Sequence, residues 1–304
     1  MMVPLLLSLK GRQAEHSIPM ERLYGYVGIS RQGFYQAVKA YHQKQKMFEE
    51  IEYLVNSYRQ EKDRRAGSRS LFYNLGIKDR FAIGVNKFEQ MLSEHSLSLC
   101  PLRVRVVTTK STKQSWNYPN LLNGLVVTSI NKVVVGDLTY IYLYGKRYYL
   151  FCLTDVYSAR IVGYHIGSRM RAEDAEVALK MWEKLRGRPD IKGCIHHTDG
   201  GSQYFSELYL DDMGKLKVRV SCAKNCLQNG YAEQRNGLIK HHFLPTIKGK
   251  NIVNLDKEMK RIMHIYNQER KQEALGWLSP VEYEEKITRM TKKPVLELYE
   301  YIKE

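Results

Sequence analysis

The chain has 304 residues, and its 48 Lys plus Arg against 32 Asp plus Glu give a formal charge of +16 and a sequence pI near 9.5, so a polyanion is the expected partner. Five cysteines are scattered at 100, 152, 194, 222 and 226 without a Cys-x-x-Cys pair. That excludes a disulfide-stapled secreted scaffold and a four-ligand zinc module, and it fits a reducing cytoplasm. The length allows two domains.

The N-terminal apolar run Val3-Pro4-Leu5-Leu6-Leu7 lacks a basic start and is too short to span a bilayer, so no membrane partner is expected. The first hundred residues read as helical and basic. Residues 20–26, a turn at Val27-Gly28-Ile29 and residues 30–41 predict a helix-turn-helix-like pair, with Ser30 capping its second helix. A groove-reading helix of this kind exposes Arg31, Gln32 and Gln36 as DNA contacts. The same pattern also fits a small bundle that only packs on its neighbours. A third helix over about 44–61 puts Met47, Ile51, Leu54 and Tyr58 on one face, and residues 68–75 and 85–93 predict a further helical pair. Residues 97–131 show little periodicity and hold Arg103, Arg105, Lys110 and Lys113, so a linker is expected. Two other basic clusters, Arg64-Arg65-Arg69 and Lys248-Lys250-Lys257-Lys260-Arg261, read equally well as solvated faces.

Strand patterns dominate from residue 133. The run Val133-Val134-Val135-Gly136-Asp137-Leu138-Thr139-Tyr140-Ile141 is that of a strand buried on both faces. Residues 148–157 and 159–168 predict two more strands joined by a tight turn at Ser158, and residues 172–185 an amphipathic helix. Another buried run, 191–197, ends at His196-His197, which the two-residue period sends to opposite faces, one inward and one outward. Cys152 and Cys194 fall in core strands. A helix is expected over about 230–243, with Pro245 ending it. Three meandering strands followed by helix-separated ones predict a mixed sheet covered by helices.

Three acids stand at the ends of these elements. A carboxylate in the apolar run at Asp137 is costly unless it neutralises or meets a cation. Asp199 follows a strand and precedes the Gly200-Gly201 turn, the place where a carboxylate faces a crevice. Glu233 lies near the start of its helix, and the seven-residue spacing to Lys240 puts both on one face. Singly, Asp199 is a turn residue and Glu233 a solvated helix residue. Jointly, at spacings of 62 (199 − 137) and 34 (233 − 199) positions, the three read as one metal-binding triad.

The segments GDLTYI, LTDVYSARIVGYHI, HHTDGGSQY and AEQRNGLIK resemble, in that order, the catalytic core of DDE transposases related to retroviral integrases. They are most like the second reading-frame product of the insertion sequence three family. Tyr266-Asn267-Gln268-Glu269-Arg270, Ala274-Leu275-Gly276 and Ser279-Pro280-Val281-Glu282 resemble the same family's C-terminal signature. The resemblance implies an α/β, ribonuclease H-like catalytic core with a mixed five-stranded sheet, preceded by an all-α helix-turn-helix-like region. It further implies metal-dependent cleavage and strand transfer at the ends of an insertion sequence, with Asp137, Asp199 and Glu233 catalytic and holding two Mg2+ (or Mn2+) ions per active site. Asp137 would bridge both ions and Lys240 would contact a phosphate. Expected partners are double-stranded DNA (element ends and target), further copies of the chain on that DNA, and an upstream reading-frame product. Cytoplasmic location with association to the bacterial nucleoid follows.

Departures from the family pattern are local. Val135 stands where a Trp is usual, the stretch 221–230 is shorter and reads Gln228-Asn229-Gly230 before the glutamate helix, and Arg270-Lys271-Gln272 replaces Arg-Pro-His. The expected organisation is a helical region at 1–100, a linker at 101–130, the core at 131–290 and a tail at 291–304. Two alternatives remain at this stage: a catalytically silent, domesticated DNA-binding relative, and a nuclease of the same fold that cuts without joining.

Overall fold

Apolar faces at two ends of one long helix organise the N-terminal region. In the computed structural model, which describes residues 2–12, 18–100, 117–143, 145–224, 226–247 and 252–298, helices α1 (Met2–Gly11), α2 (Met20–Val27) and the first turns of α3 (Arg31–Glu61) bury Leu6, Met20, Tyr24 and Phe34 together. Gly28 stops α2 in the left-handed conformation, φ 71°, which a glycine adopts without a Cβ clash. Ser30 Oγ accepts the Gly33 amide at 3.0 Å, the predicted cap of α3.

Helix α3 then runs unbroken for 31 residues, about 46 Å at 1.5 Å per residue. This corrects the expected division into one helix ending at Tyr41 and another starting near Lys44. No Gly or Pro interrupts residues 35–46, and none of them is fully buried, so the apolar period weakens where the helix is only partly covered, by contacts such as Val38 on the Leu6 cluster and Lys10 on Tyr35, although the helix continues. Its second half packs on α4 (Ser68–Asn74), α5 (Ile77–Phe81) and α6 (Val85–Glu94) through Phe48, Ile51, Val55, Leu71, Ile77 and Phe88.

The remaining elements are β1 (Val126–Val127), β2 (Val133–Leu143), β3 (Lys146–Asp155), β4 (Ile161–Gly167), α7 (Ala172–Arg186), α8 (Arg188–Ile191), β5 (Ile195–Thr198), α9 (Glu207–Leu216), β6 (Arg219–Cys222), α10 (Gly230–Leu238), α11 (Ile252–His264), α12 (Pro280–Thr288) and β7 (Leu296–Glu297). Five strands form one sheet in the order β4-β3-β2-β5-β6, antiparallel along β2, β3 and β4 and parallel from β2 through β5 to β6. Helices α7 and α9 bury Phe151, Leu153, Trp182, Tyr209 and Met213 on one face. The other face carries α10 and α11 over Ile141, Leu150 and Cys152. Cover on both faces is why these strands read as continuous apolar runs. At Gly163 a Cβ would stand 2.1 Å from the Ala178 carbonyl oxygen, so α7 lies directly on the β4 backbone.

His196 and His197 do send their rings to opposite sides, towards Tyr209 and towards Gln228. Both are buried, because each face is covered. Cys152 and Cys194 are buried as expected. Residues 126–127, inside the expected linker, pair with 296–297, inside the expected tail. Leu122, Val127 and Leu298 pack with Val133, Val135 and Ile195, so the sheet-bearing unit takes in both stretches and extends past 131–290. The Ser279-Pro280-Val281-Glu282 signature proves to be a capping box: Ser279 Oγ accepts the Glu282 amide at 3.3 Å, and Glu282 accepts the Ser279 amide at 2.7 Å. Residues 101–116, with Arg103, Arg105, Lys110 and Lys113, lie outside the described residues, as do Lys248, Lys250 and the tail from 299. No described helix is long and apolar enough to cross a membrane.

Candidate active site

Parallel pairing places two of the acids. Strands β2 and β5 run in register, Val133 opposite Ile195 through Gly136 opposite Thr198. Asp137 and Asp199 are each the next residue along, and so stand side by side where β5 ends and β2 continues. Neighbouring strands are about 4.8 Å apart, close enough for the two charges to interact. Gly136, immediately before Asp137, is closely packed: a Cβ there would lie 2.9 Å from the His196 ring and 3.0 Å from Thr198.

Helix α10 brings the third acid, packing across β2 and β3. Glu233 lies in its first turn and is exposed. One turn later, Asn236 is buried and its Nδ2 donates to Asp137 Oδ2 at 2.7 Å. Just ahead of the helix, the buried Asn229 donates from Nδ2 to the Gly136 carbonyl at 3.3 Å. Sequence reasoning missed both asparagines. Asn236 had a readable signal, since three positions after Glu233 is the same helix face. Asn229 had none, because its partner is 93 positions away.

The carboxylates crowd one another electrostatically. Burial, then the Asp199 charge and more weakly that of Glu233, push the Asp137 carboxyl up to about 7, against the opposing hydrogen bond from Asn236. Burial raises Asp199, offset in part by the Gly201 amide. Burial and Asp199 raise Glu233. The three predicted acids therefore share one electrostatic environment. Among the described residues, though, no three His, Cys, Asp or Glu side chains stand together as a ready metal cluster.

The donor set nevertheless suits a hard divalent cation. It is all oxygen, as magnesium and manganese prefer, and its mutual repulsion is what a cation would relieve. Nitrogen ligation is closed off. His196 Nδ1 donates to the Val134 carbonyl at 3.2 Å and its Nε2 accepts from the Tyr209 hydroxyl at 2.9 Å. His197 Nε2 donates to the Gln228 carbonyl at 3.0 Å and Nδ1 accepts from Ser221 Oγ at 2.8 Å. Burial drops both rings to about 4, so both are neutral at pH 7. The His197 contacts also tie Ser221 and Gln228 to β5.

The other predicted contacts are exposed. Lys240 is exposed on Ile239–Phe243, a π-helical continuation of α10. Arg31, Gln32 and Gln36 are exposed on the first turns of α3, near the end of that helix remote from Glu61.

A mixed five-stranded sheet with acids where its two central parallel strands part is the ribonuclease H-like, integrase-type architecture. The Integrase core domain family matches residues 128–226, and a second Integrase core domain description matches 215–280. The chain is 31% identical over 268 residues to the insertion element IS600 uncharacterized 31 kDa protein of Shigella sonnei, covering 86% of this chain and 97% of that one. It is 29% identical over 170 residues to the putative transposase for insertion sequence element IS986/IS6110 of Mycobacterium tuberculosis, covering 54% of this chain and 61% of that one. With the HTLV-2 integrase catalytic core domain, solved in complex with magnesium, the TM-score is 0.42 at 17% identity, over 54% of this chain and 99% of that one. The chain belongs to the insertion sequence three family of DDE transposases, within the transposase and integrase superfamily. Its function is accordingly of the DNA transposase and integrase type.

Proposed function

We propose that the chain cuts DNA at the ends of an insertion sequence and joins the resulting ends to a target, with Asp137, Asp199 and Glu233 as the catalytic carboxylates. The observation that carries this is the in-register placement of Asp137 and Asp199 at adjacent strand positions, with Glu233 coupled to them from α10. Cleavage and joining are both in-line displacements at phosphorus, and both develop charge on the attacking and leaving oxygens. Two Mg2+ (or Mn2+) ions, which Asp137, Asp199 and Glu233 would hold, would supply stabilisation of those two oxygens.

The chain's own groups do the positioning. Asn236 anchors one oxygen of Asp137, and the strand register fixes Asp199 beside it. Lys240, two turns beyond Glu233, contacts a phosphate near the scissile bond. The tip of α3 reads element DNA with Arg31, Gln32 and Gln36. Helix α3 carries that tip about 46 Å from its other end at Glu61, more than one turn of B-form DNA at roughly 34 Å, so element DNA read at the tip lies more than a helical turn from the far end of α3. Further copies of the chain and an upstream reading-frame product complete the assembly on DNA.

Duplex carrying element ends, incubated with the full chain and Mg2+, tests the proposal. Asp137→Asn, Asp199→Asn and Glu233→Gln should each reduce cleavage to background, and combining them should add little, because the three act as one unit. Any single variant that cleaves at the wild-type rate removes that residue from the site. Joined products on a labelled target separate a transposase from a nuclease that only cuts.

A further inference from the structure

The Tyr266-Asn267-Gln268-Glu269-Arg270 signature takes no part in the carboxylate site, yet four of its five side chains are engaged. Tyr266 donates from its hydroxyl to the Ala159 carbonyl at 2.8 Å. Asn267 pairs with both backbone groups of Ile161, at 2.9 and 3.0 Å, on the edge strand β4. Glu269 accepts from Lys62 at 2.6 Å, and Arg270 Nε donates to Asp63 Oδ2 at 3.1 Å. The signature thus ties the sheet edge to the residues that follow α3.

Asp63 is the centre of that clasp. It is 0% exposed, and a buried carboxylate persists only with partners. Besides Arg270, its Oδ1 accepts from His242 Nδ1 at 2.8 Å and from the Arg65 amide at 3.0 Å. Burial alone would raise its carboxyl, but the His242 and Arg270 contacts hold it below the ordinary carboxylate value. The neighbouring Arg64 amide donates to the His242 carbonyl at 2.8 Å. Both a side chain and a backbone group of His242 are therefore gripped from outside its own helix.

His242 belongs to the π-helical continuation of the helix that bears Glu233. A π turn is rare, and this one is held from outside its own helix by Asp63 and Arg64. We propose that Asp63 is a positioning residue for the catalytic helix: by joining His242 to Arg270 it fixes the helix that presents Glu233, and so couples the N-terminal region to the carboxylate site. This rests on the reading of Glu233 as a catalytic carboxylate.

The test uses the full chain and two variants, Asp63→Asn and His242→Ala. Amide hydrogen exchange, without metal or DNA, should accelerate across residues 230–243 by about tenfold in each, the factor carried by one charge-assisted hydrogen bond. Amides of β2 and β5 should exchange as in the wild type. The Mg2+ concentration for half-maximal cleavage should rise by a similar factor, with a much smaller change in the rate at saturating Mg2+. Unchanged exchange in 230–243, acceleration spread evenly over the sheet, or an unaltered Mg2+ requirement would each overturn the proposal. If Asp63→Asn does not fold, His242→Ala decides alone, since that side chain is 25% exposed and its truncation leaves the Arg270 pair in place. Glu233→Gln run alongside keeps the two readings apart: wild-type cleavage by that variant defeats the triad, whereas the exchange pattern judges the clasp.

Discussion

Asp137→Asn removes a charge where two carboxylates stand on adjacent strand positions, and in the metal-free chain it should stabilise the fold increasingly as pH rises. Burial and the Asp199 charge push the Asp137 carboxyl up to about 7, against roughly 3.9 in an unfolded chain. The folded state therefore binds the proton more tightly. Wild-type stability falls as pH rises from about 4 through 7, while an asparagine is indifferent to that window. A pKa difference of about 3 amounts to ~4 kcal/mol once fully developed near pH 8. Asp137 keeps some contact with solvent, which screens the effect, so about half, ~2 kcal/mol, is the working figure. In a unit of this size that is ~4–8 °C in Tm.

Asparagine has nearly the same volume and can still accept the Asn236 amide, so packing is preserved. Thermal melts of both proteins in chelator, from pH 4 to pH 8, check this. The Tm of the variant relative to the wild type should climb by ~4–8 °C over that range, and added Mg2+ at pH 8 should raise the wild type and close part of the gap. A Tm difference that stays flat or shrinks with pH would show that no charge crowding exists at Asp137.

Three further outcomes follow from the geometry. Lys240→Ala should weaken binding to terminal DNA and lower the slope of log K against log salt by about one, with sequence preference untouched; an unaltered slope would make Lys240 a solvated helix residue. Arg31→Ala, Gln32→Ala and Gln36→Ala should each lose about 1–3 kcal/mol of preference for element ends over scrambled duplex while nonspecific metal-dependent nicking persists, and footprints identical to the wild type would show that the α3 tip only packs. Gly163→Ala forces a methyl into the Ala178 carbonyl 2.1 Å away, so α7 must shift, and denaturant melts should show a loss of about 1–3 kcal/mol; equal stability would mean that α7 does not rest on β4.

Much of the fold was legible because the signals are local. Apolar runs at 133–141 and 148–157 declared strands, and Ser30 and Gly28 declared a cap and a stop; Asp199 does follow a strand end, whereas Asp137, expected at an element end, lies inside β2, which runs on to Leu143. The continuity of α3 was not legible, since periodicity reports what covers a helix and its middle is only partly covered. Nor could the stretches 126–127 and 296–297 be read as strands at two residues each; they are strands only because they pair.

The sequence alone thus marked three acids as candidates and gave the kind of element each sits on, because hydrophobic period and capping chemistry act between near neighbours. Only the tertiary structure decided that β2 lies beside β5 in the register that aligns Asp137 with Asp199, and that Asn236 anchors one of them. The same holds for Asp63, whose partners His242 and Arg270 are 179 and 207 positions away. Such contacts form when packing brings distant segments together and desolvates their charges, and a carboxylate's side-chain chemistry carries no mark of which distant donor will satisfy it.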